Sequence, residues 1–565
     1  MQIRHAQISN FRGIKSLSWS VPEGFVCVIG QGDSRKSTFL DAIDLALSPN
    51  GSAVFDDSDF YALDHTQPIS IQVTIGGIEE VPSIESVLFS DSNYGLHMRG
   101  FRGGKIVEEP EDDCEKVLTV ELLVGEDLEP IWQVIAPGRH EPKHVRRAHL
   151  ELFGTVKLGS YADKHFTWSK NSLVSRLLKG GGGEAGRSLA EVGRKVRSEP
   201  LSLKEFEAEA SELETVVRKF GVNVDQYSPK LDVQAVTLRS GGLSLHDGDV
   251  PIKKHGTGTK RLVALALQQY LYDGMSIRLI DEIEYGLEPH RLTQLIKKIH
   301  VDGGQTITTT HSPVVMREAD ADKITVFHNE EGVIKPISLT QGLSVQAAGQ
   351  MQGTLRKSAE SFLAKKIIVC EGATEQGLTR ALDAYRQSID KDAYSFLGIA
   401  PMDAGGVSEC EPLAERLLQA GYQVAILCDS DVPLPSADDV LLAKGIKVFR
   451  WSGNRYTEQA IFEDLSSSVL IEIVKLAQAL ETQDVVKAQL TSAGVTITAN
   501  DPATWNWPDP AFRSKVAKVA SKSSWYKRIS KGQMLGEKIF NSIEADDQKA
   551  EFIDILLQLG DWCEE

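Results

Sequence analysis

Two short motifs, each directly after an apolar run, constrain the fold of this chain more than any other feature. The first is Lys-Lys-Ile-Ile-Val-Cys-Glu-Gly-Ala-Thr-Glu at residues 365–375, in which Glu371 ends a predicted buried strand and Gly372 allows a sharp turn into a helix. Glu375 lies about one helical turn further on, so its carboxylate and that of Glu371 can point to one place. The motif predicts a strand, a turn and a helix with paired carboxylates at the strand tip.

The second motif ends another predicted strand, Gln423–Cys428, with the sequence Asp429-Ser430-Asp431. In an extended chain Asp429 and Asp431 share a face. Ligands of open α/β sheets bind at the carboxyl ends of parallel strands. Four carboxylates meeting there would repel one another strongly without a divalent cation among them. The alternative is that the second motif is a polar loop and the first an acidic helix N-terminus.

The order of the two motifs, strand-Glu-Gly-x-x-Glu and then strand-Asp-x-Asp, resembles the Toprim domain of topoisomerases, primases and certain nucleases. The resemblance implies an α/β domain with a divalent-metal site for phosphodiester chemistry. A topoisomerase would also need a domain with a nucleophilic tyrosine, and no segment of the sequence indicates one.

The N-terminal part contains a predicted strand at residues 25–30, a glycine-rich loop and a helix from Phe39. In a P-loop, backbone N–H groups and the helix N-terminus bind phosphates, a lysine reaches the terminal phosphates and a hydroxyl binds Mg²⁺. The spacing therefore predicts an ATP site formed by Gly30, Gly32, Lys36, Ser37 and Thr38. Ser37 is the expected Mg²⁺ ligand. Arg35 stands where the P-loop pattern has glycine, so we expect slow hydrolysis.

The other half of an ATPase follows later in the chain. A glycine-rich turn with Gly256 and Gly258 opens a predicted helix and could bind the γ-phosphate of a nucleotide held by another subunit; a plain helix cap is the alternative. An apolar strand ends in Asp281 and Glu282, which we expect to hold Mg²⁺ through water and to activate the attacking water, respectively. His311 follows a further strand and is expected near the γ-phosphate, with a structural histidine as the alternative.

The order of P-loop, glycine-rich turn, Asp-Glu and histidine resembles the ABC-type ATPase head, although the usual signature serine is not evident. An ABC-type head followed directly by Toprim motifs resembles the OLD (overcoming lysogenization defect) family of ATP-dependent endonucleases, which includes the nuclease component of Gabija-like systems. The resemblance implies a divalent-metal-dependent DNA endonuclease controlled by the ATPase, in anti-phage defence or DNA processing. The alternative is an ABC-type ATP switch or scaffold of DNA repair whose Toprim domain binds DNA without cutting it.

The OLD resemblance also implies roles for individual residues of the C-terminal half. The acidic residues that match the family's catalytic metal ligands are Glu371, Glu375, Asp429, Asp431 and Glu458. Glu463 and Asp464 are alternatives to Glu458. Two Mg²⁺ or Mn²⁺ ions would activate water and stabilise the leaving 3′ oxygen. Lys527 is expected to stabilise the pentavalent phosphate or to protonate the leaving oxygen, and Lys531 is its alternative.

The expected fold is α/β: an ABC-type ATPase head of mixed sheets with helices and a helical dimerisation segment, followed by a Toprim domain with a helical insertion. We expect the N-terminal ATPase part with the P-loop at 1–170, the dimerisation segment at 171–228 and the C-terminal ATPase part at 229–345. The Toprim domain is expected at 346–565, with its helical insertion at about 467–520.

The formal net charge of −18 argues against a generally basic nucleic-acid-binding protein, but allows a local basic groove. Lysine and arginine cluster at residues 514–531, where either a DNA backbone track or a solvated basic helix would account for them. We expect DNA as a partner, a homodimer or larger homo-oligomer, a partner protein encoded alongside (helicase-like or another defence component) and no membrane contact. Cysteines without C-x-x-C spacing and the lack of a long apolar run predict a cytoplasmic protein.

Overall fold

The computed structural model describes most of the chain. The described residues are 1–47, 53–110, 112–159, 163–167, 172–177, 191, 192, 195, 244–272, 277–301, 303–497, 499–543 and 547–565. The predicted dimerisation segment at 171–228 lies largely outside these residues. Its assignment and the other domain boundaries stay predictions.

The described residues form an α/β fold, as the sequence predicts. The strands are β1 (Gln2–Phe11), β2 (Ile14–Ser20), β3 (Phe25–Ile29), β4 (Ile69–Gly76), β5 (Arg99–Arg102), β6 (Lys105–Val107), β7 (Glu115–Val124), β8 (Pro130–Ala136), β9 (His140–His144), β10 (Val156–Leu158), β11 (His246–Asp247), β12 (Val250–Pro251), β13 (Ile277–Ile280), β14 (Gln305–Thr309), β15 (Ile324–Glu330), β16 (Val333–Ser338), β17 (Lys366–Cys370), β18 (Ile399–Asp403), β19 (Gln423–Cys428) and β20 (Ile446–Arg450). The α-helices are α1 (Lys36–Leu47), α2 (Pro82–Leu88), α3 (Arg147–Leu150), α4 (Leu173–Leu177), α5 (Thr257–Tyr272), α6 (Pro289–Val301), α7 (Pro313–Glu318), α8 (Val345–Lys357), α9 (Ala373–Ser388), α10 (Tyr394–Leu397), α11 (Val407–Gln419), α12 (Asp438–Lys444), α13 (Thr457–Asp464), α14 (Ser467–Glu481), α15 (Gln483–Ser492), α16 (Pro510–Lys522), α17 (Ile529–Ser542) and α18 (Glu551–Glu564).

The chain divides into two compact units. The first consists of Met1–Gln7 with Leu40–Thr308, and the second of Ile8–Phe39 with Thr309–Glu565. In the first unit β10, β13 and β14 form a parallel set, and all four residues of β13 are buried, which is typical of a strand within a parallel sheet. The same unit contains an antiparallel set around β7, which pairs with β4, β5 and β8.

In the second unit β3 pairs in parallel with β15, which forms an antiparallel hairpin with β16. The far side of β16 pairs in parallel with β2. Every residue of β3 is buried, and the strand ends directly before Gly30. The P-loop sequence therefore begins at the carboxyl end of a core strand, where the sequence predicted it.

The second unit also contains a separate four-stranded parallel sheet in the order β18-β17-β19-β20. Parallel neighbours need crossover connections, and α9, α11 and α12 lie in those connections. The apolar runs of β17 and β19 are buried and adjacent, so the carboxyl ends of these two strands lie side by side. This arrangement confirms the predicted strands of both acidic motifs.

Aromatic side chains fix the helices that follow β20. The rings of Trp505 and Trp507 stack with centroids 5.7 Å apart, and Phe512 of α16 packs edge-on against Trp507 at 5.5 Å. The residues of α16 that are buried in this core are Phe512, Val516, Ala517, Val519 and Ala520. Packing along one side holds α16 in place and leaves its other side in solvent. None of the described helices has both the length and the apolar character needed to cross a bilayer.

Candidate active site

The two acidic motifs meet at the carboxyl ends of β17 and β19. The backbone N–H of Glu371 donates to Leu427 O at 3.0 Å, which extends the strand pairing by one residue. The backbone N–H of Asp429 donates in turn to Oε2 of Glu371 at 2.9 Å. The strand tips therefore bring together the first carboxylate of each motif.

A threonine hydroxyl links the next two carboxylates. Glu375 lies in the first turn of α9, where its side chain is buried. Oγ1 of Thr457, the first residue of α13, lies 2.9 Å from Oε1 of Glu375 and 2.6 Å from Oδ1 of Asp429. Oδ1 of Asp429 also accepts a 3.0 Å hydrogen bond from Nε1 of Trp451. Sequence analysis missed both Thr457 and Trp451, because a lone hydroxyl and a lone indole give no motif.

The pKa values of these carboxyl groups are raised, because the groups are buried and lie close to one another. Burial raises the pKa of Glu371 to about 7, and the charge of Asp429 adds to the rise. Burial raises the pKa of Glu375 to about 8, again with a contribution from Asp429. Burial also raises the pKa of Asp429 itself. Each shift means that the anionic form is disfavoured unless positive charge is supplied nearby.

Glu458 belongs to the same group of carboxylates. It lies in the first turn of α13 and is only 3% exposed, and its Oε1 has no hydrogen-bond partner among the described residues. Burial raises its pKa, and the Lys527 ammonium opposes that rise. The two alternatives lie at the other end of α13, where Glu463 and Asp464 form ion pairs with Arg455. The structure therefore brings Glu458, and neither alternative, to Glu371, Glu375 and Asp429.

Asp431 lies at the exposed edge of this group. The expectation that Asp429 and Asp431 share the face of a strand is wrong, because β19 ends at Cys428 and both aspartates follow it in a turn. The charge of Asp431 nevertheless contributes to the raised pKa of Glu371, after burial and Asp429. Asp431 is therefore near the group while its side chain remains in solvent.

The donor set fits a hard divalent cation. Carboxylate and hydroxyl oxygens are the ligands that Mg²⁺ and Mn²⁺ prefer, and a buried carboxylate oxygen such as Oε1 of Glu458 is costly without a partner. In the described residues, no three His, Cys, Asp or Glu side chains are already arranged as a metal site. The hydrogen bonds from Thr457 and Trp451 occupy Oδ1 of Asp429 in this arrangement.

The segment between α16 and α17 holds Lys527 near the carboxylates. Trp525 and Tyr526 are fully buried, and their polar atoms donate to Oε1 of Gln489 and to Ile473 O, each at 2.7 Å. The exposed Lys527 follows them, and its charge lowers the pKa of Glu371 against the larger effect of burial. An anchored aromatic pair thus fixes the position from which Lys527 projects.

Lys531, the alternative to Lys527, has a different environment. Its ammonium forms an ion pair with Glu481 at the end of α14, and its side chain is largely buried. The structure therefore places these two lysines, only four residues apart in the sequence, in different environments.

Glycines allow α9 and α17 to touch backbone to backbone. A Cβ added to Gly377 would lie 2.5 Å from Gln533 N, and one added to Gly532 would lie 2.7 Å from Thr374 O. One turn later, a Cβ on Gly536 would lie 2.5 Å from the Cβ of Ala381. The contact joins the helix that carries Glu375 to the helix that follows Lys527. The spacing of Gly532 and Gly536 was a usable sequence signal for close helix packing that the analysis did not use.

The P-loop of the second unit has the predicted strand, loop and helix. Nζ of the buried Lys36 donates to Gly30 O at 3.0 Å and to Gln31 O at 2.9 Å, and contacts Oγ of Ser34 at 3.0 Å. The lysine is thus held across the loop. Gly32 and Ser37 are exposed and Thr38 is half-buried, so the loop surface is accessible to a ligand.

Arg35 adopts the backbone conformation of the glycine that it replaces. Its φ of 65° lies in the left-handed region, which costs a non-glycine residue about 1–2 kcal/mol. Its guanidinium packs against Gly13, where a side chain would collide with it. The loop therefore holds Arg35 in a conformation that glycine would adopt at lower energy.

The strand-ending acidic pair lies in the first unit. Asp281 and Glu282 follow β13, and the fully buried Arg261 of α5 donates to Asp281 O and to Glu282 O, each at 2.7 Å. Lys157 of β10 lies 3.9 Å from Oδ2 of Asp281 and forms a closer ion pair with Asp41. Arg261 and Lys157 therefore position this loop, and neither belongs to a motif.

The remaining predicted nucleotide residues are divided between the units. In the first unit, Gly256 precedes α5, and Gly258 in its first turn packs so closely on Gly286 O that no side chain would fit. In the second unit His311 is exposed, and the preceding Thr310 donates its N–H to Val28 O at 3.3 Å. The turn with Gly256 and Gly258 thus opens a helix and His311 follows a strand, as predicted, and their contacts with nucleotide stay predictions.

Two family models match the chain. The model described as "AAA domain, putative AbiEii toxin, Type IV TA system" matches residues 25–317, just over half of the chain. The model described as "Overcoming lysogenization defect protein-like, TOPRIM domain" matches residues 362–431, which contain both acidic motifs. The chain belongs to the OLD family. Its members join such an ATPase domain to a Toprim domain, and the predicted resemblance is confirmed.

The OLD-family chain is also similar to solved ATPase heads. One is described as the SmcHead bound to the C-winged helix domain of ScpA, with 17% identity over 62% of this chain and 100% of that one and a TM-score of 0.34. Another, derived from Pyrococcus furiosus, is an Smc head domain with an extended coiled coil, with 16% identity, coverage of 63% and 99%, and a TM-score of 0.34. The SMC head domain from Thermotoga maritima has 14% identity, coverage of 60% and 99%, and a TM-score of 0.28. No curated protein matches the chain.

Proposed function

We propose that this OLD-family protein is a DNA endonuclease that depends on Mg²⁺ or Mn²⁺ and is controlled by its ATPase domain. The observation that carries the proposal is the grouping of Glu371, Glu375, Asp429 and Glu458 at the tips of adjacent parallel strands, where burial raises the pKa of each. Uncompensated, such a group of anions destabilises the fold, whereas bound divalent cations would stabilise it.

The roles of the residues follow from their positions. Glu371, Glu375, Asp429 and Glu458 would hold the cations, and Asp431 lies at the exposed edge of the site. The cations would supply an activated water and stabilise the leaving 3′ oxygen. The Thr457 hydroxyl orients Glu375 and Asp429 toward each other.

Lys527 adds positive charge on the open side of the carboxylates. During hydrolysis of a phosphodiester the phosphate gains negative charge, and a fixed lysine stabilises that charge most in the transition state. Alternatively, its ammonium protonates the leaving oxygen. Because Trp525 and Tyr526 are buried, they fix the backbone next to Lys527 and hold the lysine at the site.

For the nucleotide we propose the residues that the motifs predicted. Gly30, Gly32, Lys36, Ser37 and Thr38 bind the phosphates and Mg²⁺ of ATP. Asp281 would hold the Mg²⁺ through water, Glu282 would activate the attacking water, and His311 would contact the γ-phosphate. Gly256 and Gly258 complete the site of a second copy, so the active form is a homodimer or a larger homo-oligomer.

Contacts within the second unit connect the P-loop with the nuclease site. Nδ2 of Asn329, in the β15–β16 hairpin, donates to Asp33 O in the P-loop at 2.9 Å. At the other end of that hairpin, Arg416 of α11 donates to Ser338 O and, at 2.7 Å, to Leu339 O. The hairpin therefore contacts both the nucleotide loop and a Toprim helix.

The helix that carries Arg416 leads back to the carboxylates. Gly406, which directly precedes α11, donates its N–H to Glu371 O at 2.9 Å. We propose that this continuous chain of contacts couples nucleotide binding to cleavage.

In an Arg416→Met variant ATP should alter cleavage less than in the wild type, at an unchanged rate of ATP hydrolysis. An undiminished effect of ATP would contradict the coupling.

The family membership suggests the biological setting. We propose a role in anti-phage defence or DNA processing, in the cytoplasm, with a partner protein encoded alongside. Infection of cells that carry either the wild type or the Asp429→Ala variant tests the defence role, and equal phage yield from both would contradict defence and leave DNA processing.

The nuclease proposal is tested by incubating the purified protein with supercoiled plasmid. Mg²⁺ or Mn²⁺ should produce nicked or linear DNA, and EDTA should stop the reaction. The Asp429→Ala variant should bind ATP and DNA but leave the plasmid intact. If the wild type binds DNA and cuts none with either cation, at any nucleotide concentration, the Toprim domain is a binding module and the nuclease proposal is wrong.

A further inference from the structure

Helix α16 carries a line of unpaired cations next to the carboxylate site. Lys515, Lys518 and Lys522 are spaced three and four residues apart, so they follow one side of the helix, and all three are exposed. None of them forms an ion pair or side-chain hydrogen bond with a described residue. The opposite side of the helix is buried in the aromatic core, so the three lysines face solvent.

Three other lysines of the second unit are neutralised by neighbours. Lys391 pairs with Asp561, Lys444 with Glu415 and Lys447 with Glu565. The line on α16 therefore carries uncompensated positive charge, which these three lysines do not.

The line ends at the catalytic group. Helix α16 packs against α13, and Nη1 of Arg513, near the start of α16, donates to Leu465 O just beyond the end of α13 at 2.8 Å, so the later turns of α16 run toward Glu458 at the start of α13. Beyond the end of α16, Lys527 and Arg528 continue the run of exposed cations, again without an ion pair among the described residues. The positive line is thus continuous with the place where a phosphodiester would be cut.

We propose that the α16 line, defined as Lys515, Lys518 and Lys522, binds consecutive backbone phosphates of the DNA substrate and leads the strand to the carboxylate site. This proposal rests on the nuclease function proposed above and adds where the DNA lies. From Lys515 to Lys522 the helix rises about 10 Å, which equals about three steps of 3.4 Å along one DNA strand, so the line spans about four consecutive phosphates. Contacts of this kind carry no sequence information, so the line would act on any DNA sequence.

The experiment measures DNA affinity at several salt concentrations, with an Asp429→Ala background so that no strand is cut. Each of Lys515→Ala, Lys518→Ala and Lys522→Ala should lower the slope of log affinity against log salt by about 1, and the triple variant by about 3. Two DNA duplexes of unrelated sequence should lose affinity equally. Lys518→Arg should restore the wild-type slope, because the charge is kept.

The matched control is the triple variant Lys391→Ala, Lys444→Ala and Lys447→Ala, which removes the same charge from paired sites. It should leave the slope unchanged, and thermal unfolding should confirm that both triple variants are folded. Equal slopes for the α16 triple variant and this control would overturn the proposal, as would tighter binding of duplex RNA than of DNA. A reduced slope in a protein that cuts no plasmid would support the α16 line and contradict only the nuclease function.

Discussion

The backbone N–H of Asp429 donates to Oε2 of Glu371 across 58 residues of sequence, at a distance of 2.9 Å. This bond joins the ends of β17 and β19 and holds one carboxylate against the backbone of the next. The peptide dipole stabilises the Glu371 anion only in part, since burial still raises the pKa of this residue to about 7. Positive charge from another source would therefore bind here with favourable energy.

Divalent cations should stabilise the folded protein through this group. At a cation concentration about 100 times the Kd, binding contributes about 2.7 kcal/mol, which corresponds to a rise of about 5–10 °C in the unfolding midpoint of a domain of this size. In Asp429→Ala the rise should shrink, and the midpoint in EDTA should increase because one repelling anion is gone. Differential scanning calorimetry checks both, with Asp484→Ala on the exposed first turn of α15 as the control. An equal cation effect in Asp429→Ala would contradict the site.

Thr457 is expected to act as a positioning residue for two ligands. Thr457→Val keeps the shape but removes the hydroxyl between Glu375 and Asp429, so cation affinity should fall about 10–100-fold. Thr457→Ser should retain most of it. The measurement is a Mn²⁺ titration of cleavage together with calorimetric Mn²⁺ binding. A valine variant with wild-type Mn²⁺ affinity would show that the hydroxyl only fills space.

Lys527→Ala should lower the cleavage rate about 10²–10³-fold at saturating DNA, because the lysine acts on the transition state. Lys531→Ala should cleave at close to the wild-type rate, since that lysine is paired with Glu481. Single-turnover kinetics with protein in excess separate this effect from affinity. A rate defect in Lys531→Ala with normal cleavage by Lys527→Ala would reverse the assignment.

Arg35→Gly should speed ATP hydrolysis, because glycine adopts a φ of 65° without the cost of about 1–2 kcal/mol that arginine bears. Lys36→Ala should lose ATP binding, whereas Glu282→Gln should bind ATP but hydrolyse it slowly. Phosphate release and equilibrium binding of a fluorescent ATP analogue measure the two effects. Slower hydrolysis by Arg35→Gly would indicate that the arginine itself contributes to turnover.

Gly532→Ala should destabilise the protein by about 1–3 kcal/mol or more, because the added methyl overlaps Thr374 O of α9. Gly353→Ala on α8 is the matched control, since a methyl there meets no other atom and a helical alanine is favoured over glycine by about 1 kcal/mol. Urea unfolding followed by circular dichroism measures both. Equal stability of the two variants would contradict the close contact between α9 and α17.

The residues that sequence analysis found belong to segments in which local pattern and chemistry coincide. Glu371 and Asp429 each follow an apolar strand, so their position depends on a few neighbouring residues and on a rule for parallel sheets. Lys36 is likewise set by the loop and helix that contain it. Strand ends and loops of this kind can be predicted from a single sequence, because neighbouring residues determine their positions.

The residues that sequence analysis missed depend on contacts between distant segments. Thr457 reaches Glu375 across 82 residues, and Trp451 reaches Asp429 across 22. Neither residue belongs to a recognisable sequence motif, because the packing of distant segments determines which carboxylate it contacts. The segment after Cys428 is another case: the two-residue spacing of Asp429 and Asp431 predicts a shared face in an extended chain, whereas the strand ends at Cys428 and both aspartates lie beyond it.

The glycine contact between α9 and α17 has a consequence for control. Two helices that touch through bare backbone cannot slide past each other without collisions, so Glu375 and the segment after Lys527 form a rigid pair. A nucleotide signal that reached this pair would therefore have little freedom to reshape the catalytic geometry. Under the function proposed above, nucleotide would therefore act on the access of DNA to the carboxylate site and not on the spacing of these two helices.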